Sequence, residues 1–401
     1  MTRAAALLGT AFVLVHTSLS AQPARRPARA RSRIDAVSTR LLDSTRAVLG
    51  RAVADGAFPG AMAVIGNHTG ILASYGAGRL DVADSSRPTL ATMYDLASLT
   101  KVVATTSLML QLVDQGRVAL DTPAVHYLPE WRGPRASEIT IRQLLTHSSG
   151  LSAWRAFYKE ATDRADARAQ LMLVGPDTPP GTHFVYSDMN FMLLGMIAEK
   201  LTAVSLDSAF IAMVARPLKL ADTRFLPDSS QRFRIAPTEY DPWRQRQLRG
   251  EVHDENASRF GGVSGHAGLF STGADMSRVA RMWLNVGTLD GARLASPATV
   301  ATFTHVQDTL ISRRALGWET PNGTNSAGHR MSALAFGHTG FTGTSMWIDP
   351  TRDLFVILLT NRVNPTRENK KIGGVRIALA DAVAGALDGA AVRGSAPTPS
   401  H

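Results

Sequence analysis

The sequence predicts an α+β protein of mixed α/β layers, an antiparallel sheet flanked by helices plus a mostly helical subdomain. Three observations carry this expectation. A helical period near the N-terminus runs into a hairpin pattern, helical periodicity dominates the middle, and the last quarter returns to strand-like apolar runs before a closing helix. With 401 residues, 44% hydrophobic and 19% charged, the chain has the composition of a globular protein with a sizeable core.

Taken in order, Arg3 precedes an uninterrupted apolar run, Ala4 to Val15, followed by Thr17, Ser18, Ser20 and Ala21. A basic start, a short apolar stretch and small residues make a secretory signal over residues 1–21, with cleavage expected near Ser20 or Ala21 and a periplasmic or secreted product. The run is too short for a membrane span. Residues 22–34 are rich in Pro, Arg and Ala and read as a linker, with the main domain expected over 35–388 and a frayed tail over 389–401. The net charge of +10 is front-loaded: Arg3, Arg25, Arg26, Arg29, Arg31 and Arg33 all precede the first acid, Asp35. The other arginines are scattered among acids, which argues against a nucleic-acid partner. No cysteine is present, so disulfides, thiolate catalysis and Cys-ligated zinc are excluded.

From Asp35 to Asp55, Val37, Leu41, Leu42, Val48, Leu49 and Val53 recur at helical spacing until Gly56 and Pro59-Gly60 stop them. Ala61–Ile65 and Gly70–Tyr75 form a hairpin about a Gly-Asn-His-Thr-Gly turn. Val102 to Val113 is a further apolar helix. Thr140 with Gln143 makes a capping box, and His147 reads as a helix C-terminal histidine bonding the last carbonyls. Periods over 160–174 and 191–214 are helical. A dense glycine and polar segment, Gly250 to Thr272, precedes a helix at Met276–Leu284. Ala335–Pro350 and Asp353–Asn361 read as adjacent strands, the second a buried central one, and Gly374–Leu387 as the closing helix.

Chemistry concentrates in Tyr94-Asp95-Leu96-Ala97-Ser98-Leu99-Thr100-Lys101. On a helix, Ser98 and Lys101 lie three apart on one face. A serine hydroxyl becomes nucleophilic only beside a base, and a desolvated lysine can serve because burial disfavours its charge. Lysine is scarce, with 6 against 37 arginines, so its place here is selective. Tyr186 lies on a loop between Pro180-Gly181 and the next helix, where function concentrates. His253, Asp254 and His266 invite a metal reading, but no recognised ligand spacing is present, so no metal is expected.

Ser98/Lys101, Tyr186 and His338-Thr339-Gly340 together resemble, in order and spacing, the serine penicillin-recognising superfamily and its class C β-lactamase-like group. The resemblance covers about Asp35 to Leu387. It implies Ser98 as acylated nucleophile, Lys101 and Tyr186 as its base, and an oxyanion hole from the backbone N–H groups of Ser98 and Phe341. It implies no cofactor. Asp188, His338, Thr339 and Gly340 would meet substrate, with Gly340 allowing close passage of a substrate backbone.

Two departures stand out. Tyr186-Ser187-Asp188 replaces the common Tyr-x-Asn, and His338-Thr339-Gly340 replaces Lys-Thr-Gly, both lowering the positive or amide character offered to a substrate carboxylate. Segments around Tyr186 and from His253 to Thr272 resemble the subgroup that holds a periplasmic penicillin-binding carboxypeptidase and a muramyl-peptide amidase. That likeness implies peptidoglycan fragments as substrate, with His253, Asp254 and His266 in the cleft. A promiscuous esterase or weak β-lactamase, and a receptor that has lost turnover, are the competing readings.

Overall fold

The computed structural model describes residues 1, 2 and 28–392, with side chains at 1, 2 and 35–388. The apolar run expected as a signal and the tail beyond Val392 lie outside the described residues. Two compact units are present, Met1–Ala36 and Val37–His401, and the elements that build the cleft belong to the second.

Helix α1 (Ala28–Ala54) begins inside the stretch expected to be a linker. The last helix-breaking residue is Pro27, and the alanines and arginines after it are good helix formers. The hairpin follows as β1 (Gly60–Asn67) and β2 (Gly70–Gly78), with a register shift between Ile65 and Gly66. Asn67 Oδ1 accepts the N–H groups of Thr69 (3.0 Å) and Gly70 (3.2 Å), closing the turn. Strand β3 (Met93–Asp95) precedes the Ser98 turn. A π-helical turn, Lys101–Thr105, then leads into α2 (Thr106–Asp114).

Helix α3 (Ile141–Thr146) carries the expected capping box: Thr140 Oγ1 accepts from Gln143 N, and Gln143 Oε1 from Thr140 N. Helix α4 (Asp188–Thr202) is the long helix of the middle region, which also holds a helix at Arg164–Leu171. The glycine-rich segment leading to Thr272 is more ordered than its composition suggests. It contains α5 (Glu255–Arg259) and the last of two strands, β4 (Arg224–Phe225) and β5 (Leu269–Thr272), before α6 (Gly273–Leu284).

The segment expected as a single strand over Ala335–Pro350 is two, β6 (Phe336–Thr339) and β7 (Ser345–Asp349), because the Gly340–Gly343 turn reverses the chain. Strand β8 (Leu354–Thr360) is buried throughout. Helix α7 (Ile372–Val392) runs past the expected end, so residues 389–392 are helical and not a tail.

The main sheet is antiparallel in the order β6-β7-β8-β1-β2, and β3-β5-β4 forms a small second sheet. Alternation along the main strands sends residues into two cores. Ala61, Ala63, Ile65, Val356 and Leu358 pack with Leu41, Leu49, Leu379 and Val383 of α1 and α7. Met62, Val64, Phe355, Ile357 and Leu359 face Met276, Val279 and Trp283 of α6 and the helical region beyond. Burial on both faces explains why β8 reads as one continuous apolar run.

One close approach fixes the helical region against this frame. A Cβ on Gly265 would lie 2.0 Å from the Phe191 carbonyl oxygen in α4, and Gly195 is its opposite number. Gly265→Ala is therefore expected to destabilise the protein by about 1–3 kcal/mol through overpacking, read as a lowered denaturant midpoint with an unchanged slope.

Candidate active site

Ser98 stands on a sharp turn after β3. Tyr94 and Asp95 pair with Ser271 and Phe270 of β5, and Leu96 N–H donates to Leu269 O at 2.9 Å. The buried Asp95 carboxylate accepts the N–H groups of Ala97 (2.8 Å) and His253 (2.6 Å). Burial nonetheless raises the Asp95 pKa. These bonds hold Ala97 at φ +46°, a left-handed conformation that costs a non-glycine residue about 1–2 kcal/mol. The chain then turns so that Lys101 N–H donates to Ser98 O at 3.0 Å.

Lys101 is wholly buried. Its ammonium donates to Ser98 Oγ (2.9 Å), Asp188 Oδ1 (2.7 Å) and the His266 carbonyl (3.2 Å), a full use of three donors. Its Nζ lies 5.0 Å from the centre of the Tyr186 ring. Burial pulls the Lys101 pKa down, but the charge of Asp188, with Tyr186 and the Asp188 hydrogen bond, outweighs it, and the net shift is upward. Lys101 is thus a charged donor at rest, not the neutral base expected from its burial. Burial raises Tyr186 more than Lys101 lowers it, so the phenol is protonated.

The end of β6 completes the site. Thr342 Oγ1 donates to Asp95 O (2.7 Å) and Thr344 Oγ1 to Leu96 O (3.0 Å), tying this strand end to the serine turn. A Cβ on Gly340 would lie 2.4 Å from Leu96 O, so the close packing of the protein's own backbone already requires glycine here. Among the described residues, neither the Ser98 nor the Phe341 backbone N–H has an acceptor, which leaves both able to serve as oxyanion donors. His338 donates from Nδ1 to Thr339 O (2.8 Å). Burial, then the charges of Arg314 and Lys101, hold it neutral, well below the usual histidine range.

Ser98 opens on a cleft of about 710 Å³ lined also by Tyr186, Phe184, His338, Thr339, Gly340 and Phe341. Its charged walls are Arg313, Arg314, Arg362 and Arg376 against Glu319, which pairs with Arg314 at 3.2 Å. Sequence reading missed these arginines because they come from three distant parts of the chain, Arg313-Arg314, Arg362 and Arg376, with no spacing to link them. Arg314 stacks over the Phe184 and Tyr186 rings, and Arg376 donates to the Gly340 and Thr344 carbonyls. Burial, with the charge of Arg362, lowers Arg376 to about 10.

Four expected substrate contacts lie elsewhere. His253 is buried, bonded through Nε2 to Glu239 (2.8 Å) and stacked against Phe341, so it supports the strand end from behind. His266 Nε2 bonds to Asp254 Oδ1 (3.0 Å), and Asp254 caps α5 by accepting Ala257 N–H. Asp188 is spent on Lys101. His147 does not bond helix carbonyls through its ring: Nδ1 accepts from Ser187 N–H and Asn190 Nδ2, both at 3.1 Å, and the ring packs 4.5 Å from Tyr186. Asp188, Asp254 and His266 bring ligand-type atoms within 4.8 Å of one another, a grouping that their sequence spacing hides. The Lys101 ammonium already supplies the positive charge beside them, and His266 Nε2 and Asp254 are engaged with each other.

A serine beside a lysine and a tyrosine, under two free backbone donors, defines a serine hydrolase of the acyl-enzyme type. The sequence model of the Beta-lactamase family matches residues 45–380, and the chain belongs to that family. It is 34% identical over 363 residues to an N-acetylmuramyl-L-alanine amidase of Bacillus subtilis (strain 168), covering 81% of this chain and 82% of that protein. A putative D-alanyl-D-alanine carboxypeptidase of Salmonella heidelberg (strain SL476) is 33% identical over 324 residues, 73% of this chain and 74% of that one. Among solved structures, a penicillin-binding protein homolog from Caulobacter crescentus shares the fold with a TM-score of 0.70 at 21% identity, covering 86% of this chain and 97% of its own.

Neutral, buried His338 and His147 give a pH dependence to stability. Their native pKa values lie below the unfolded value of about 6.5, so the unfolded chain binds more protons as pH falls. Stability is full above about pH 6.5 and is lost as pH drops toward the native values. In urea melts between pH 7.5 and 5, His338→Gln is expected to flatten this slope by up to one proton.

Proposed function

We propose that this protein is an exported hydrolase that forms an acyl-enzyme on Ser98 with peptidoglycan-derived peptide amides, as an amidase or carboxypeptidase. The observation that carries it is the 2.9 Å contact of Lys101 Nζ with Ser98 Oγ at the base of a cleft with four arginines and one glutamate. Such walls favour an anionic substrate, as a muramyl peptide with free carboxylates is. The amidase and carboxypeptidase names of the two relatives support the same class. The arginines supply the positive charge that the neutral His338 does not provide. Residues 1–21 support export.

In this reading Ser98 Oγ attacks the acyl carbon, and the Ser98 and Phe341 N–H groups hold the oxyanion. Thr339 and Gly340 flank the acyl donor. Water then enters, and the same groups release the acid.

Intact-mass measurement after incubation with a fluorophosphonate, a penicillin and a muramyl tripeptide tests this. The expected result is an adduct at Ser98, turnover of the muramyl tripeptide, and a fall of about 10³-fold or more in kcat for Ser98→Ala with the fold intact. Turnover of simple esters with none of the muramyl peptide would make the protein an esterase. No adduct with any reagent would make it a silent binding protein.

For the cleft, Arg314→Gln is expected to raise KM about 10-fold for a carboxylate-bearing peptide and to leave KM for its C-terminal amide unchanged. Steady-state kinetics on the matched pair reads this.

A further inference from the structure

The position two residues after Tyr186 carries a carboxylate where the common motif has an amide, and the structure places it on the site's lysine. Asp188 Oδ1 lies 2.7 Å from Lys101 Nζ, on the first turn of α4, and keeps a side-chain exposure of 18% where Lys101 has none. Every element packed about Lys101 contributes a group. Ser98 lies on its own turn, Tyr186 just before α4, and Asp188 on it. Beyond the Gly265 contact, the 254–266 stretch brings the His266 carbonyl and the Asp254 carboxylate, itself paired with the His266 ring. His147, His338 and Arg314 complete the surroundings of Tyr186, and both histidines are neutral.

Two of the oxygens about Lys101, the Asp188 carboxylate and the His266 carbonyl, can only accept, and the Asp188 charge favours the ammonium form. Each of its three hydrogens already faces an oxygen, and the nearest negative charge is Asp188.

Resting on the acyl-enzyme reading above, we propose that Asp188 is a positioning residue for acylation: it fixes Lys101 as an ammonium aimed at Ser98 and leaves Tyr186 to pass the proton. As Ser98 Oγ bonds to the acyl carbon, the carbonyl π pair moves onto its oxygen. The Ser98 proton goes to Tyr186 Oη while the Tyr186 proton goes on to the leaving nitrogen. The C–N bond then breaks, yielding acyl-Ser98 and the free amine. Lys101 gains and loses no proton, and its charge stabilises the anionic character that develops on Ser98 Oγ and Tyr186 Oη.

Removing the Asp188 charge leaves burial to dominate Lys101, so the lysine should lose its proton at lower pH. The test is the pH dependence of the second-order rate of Ser98 labelling by a fluorophosphonate, which needs no natural substrate. It compares the wild-type protein, Asp188→Asn and Asp188→Glu, each checked for an unchanged circular dichroism spectrum. The expected result is an alkaline limb that moves down by one pH unit or more in Asp188→Asn and is restored by Asp188→Glu. Superimposable profiles for the wild type and Asp188→Asn would overturn the proposal. So would a rise in KM for a chromogenic ester with the limb unmoved, which would make Asp188 a substrate ligand. Failure of the wild-type protein to label at Ser98 would instead overturn the acyl-enzyme reading itself.

Discussion

The buried ammonium of Lys101 is the constraint on which the catalytic half of the molecule depends. Taking a charge this far from water costs several kcal/mol unless its hydrogen bonds are replaced and its charge is matched. The replacements arrive from three places in the chain: the turn that carries Ser98, the first turn of α4 with Asp188, and the glycine-rich segment with the His266 carbonyl. Satisfying a single side chain thus fixes the mutual position of all three. The mutual approach of Gly195 and Gly265 lets the third come close enough.

Around that point the architecture divides labour. The main sheet, buried on both faces, is the rigid partition; α1 and α7 seal one face and α6 with the helical region the other. The serine turn and the end of β6 are joined by threonine hydroxyls to the Asp95 and Leu96 carbonyls. The separation between the proposed nucleophile and the second oxyanion donor is therefore set by short side chains of one fixed length, not by loop conformation.

Much of this was legible in the sequence, for identifiable reasons. The hairpin, the capping box at Thr140, the buried β8 and the Ser98/Lys101 pair are local patterns, and each was found where it was expected. What escaped was set by contacts between distant residues. Burial of Lys101 suggested a lowered pKa, but the partner that reverses it lies 87 residues away. Histidines and an aspartate expected in the cleft serve instead as supports, because a sequence shows that polar residues cluster and not which side of a turn they occupy. The arginines of the cleft wall come from a loop, a strand end and the last helix, so only folding reveals them as one group.

The reach of Arg376 bears on when the site can exist at all. Its guanidinium, on the last helix, holds the Gly340 and Thr344 carbonyls, and β8 must lie against β1 before the frame closes. The serine turn and the guanidinium that latches the oxyanion strand come from opposite ends of the domain, so the site closes only when both ends have folded together.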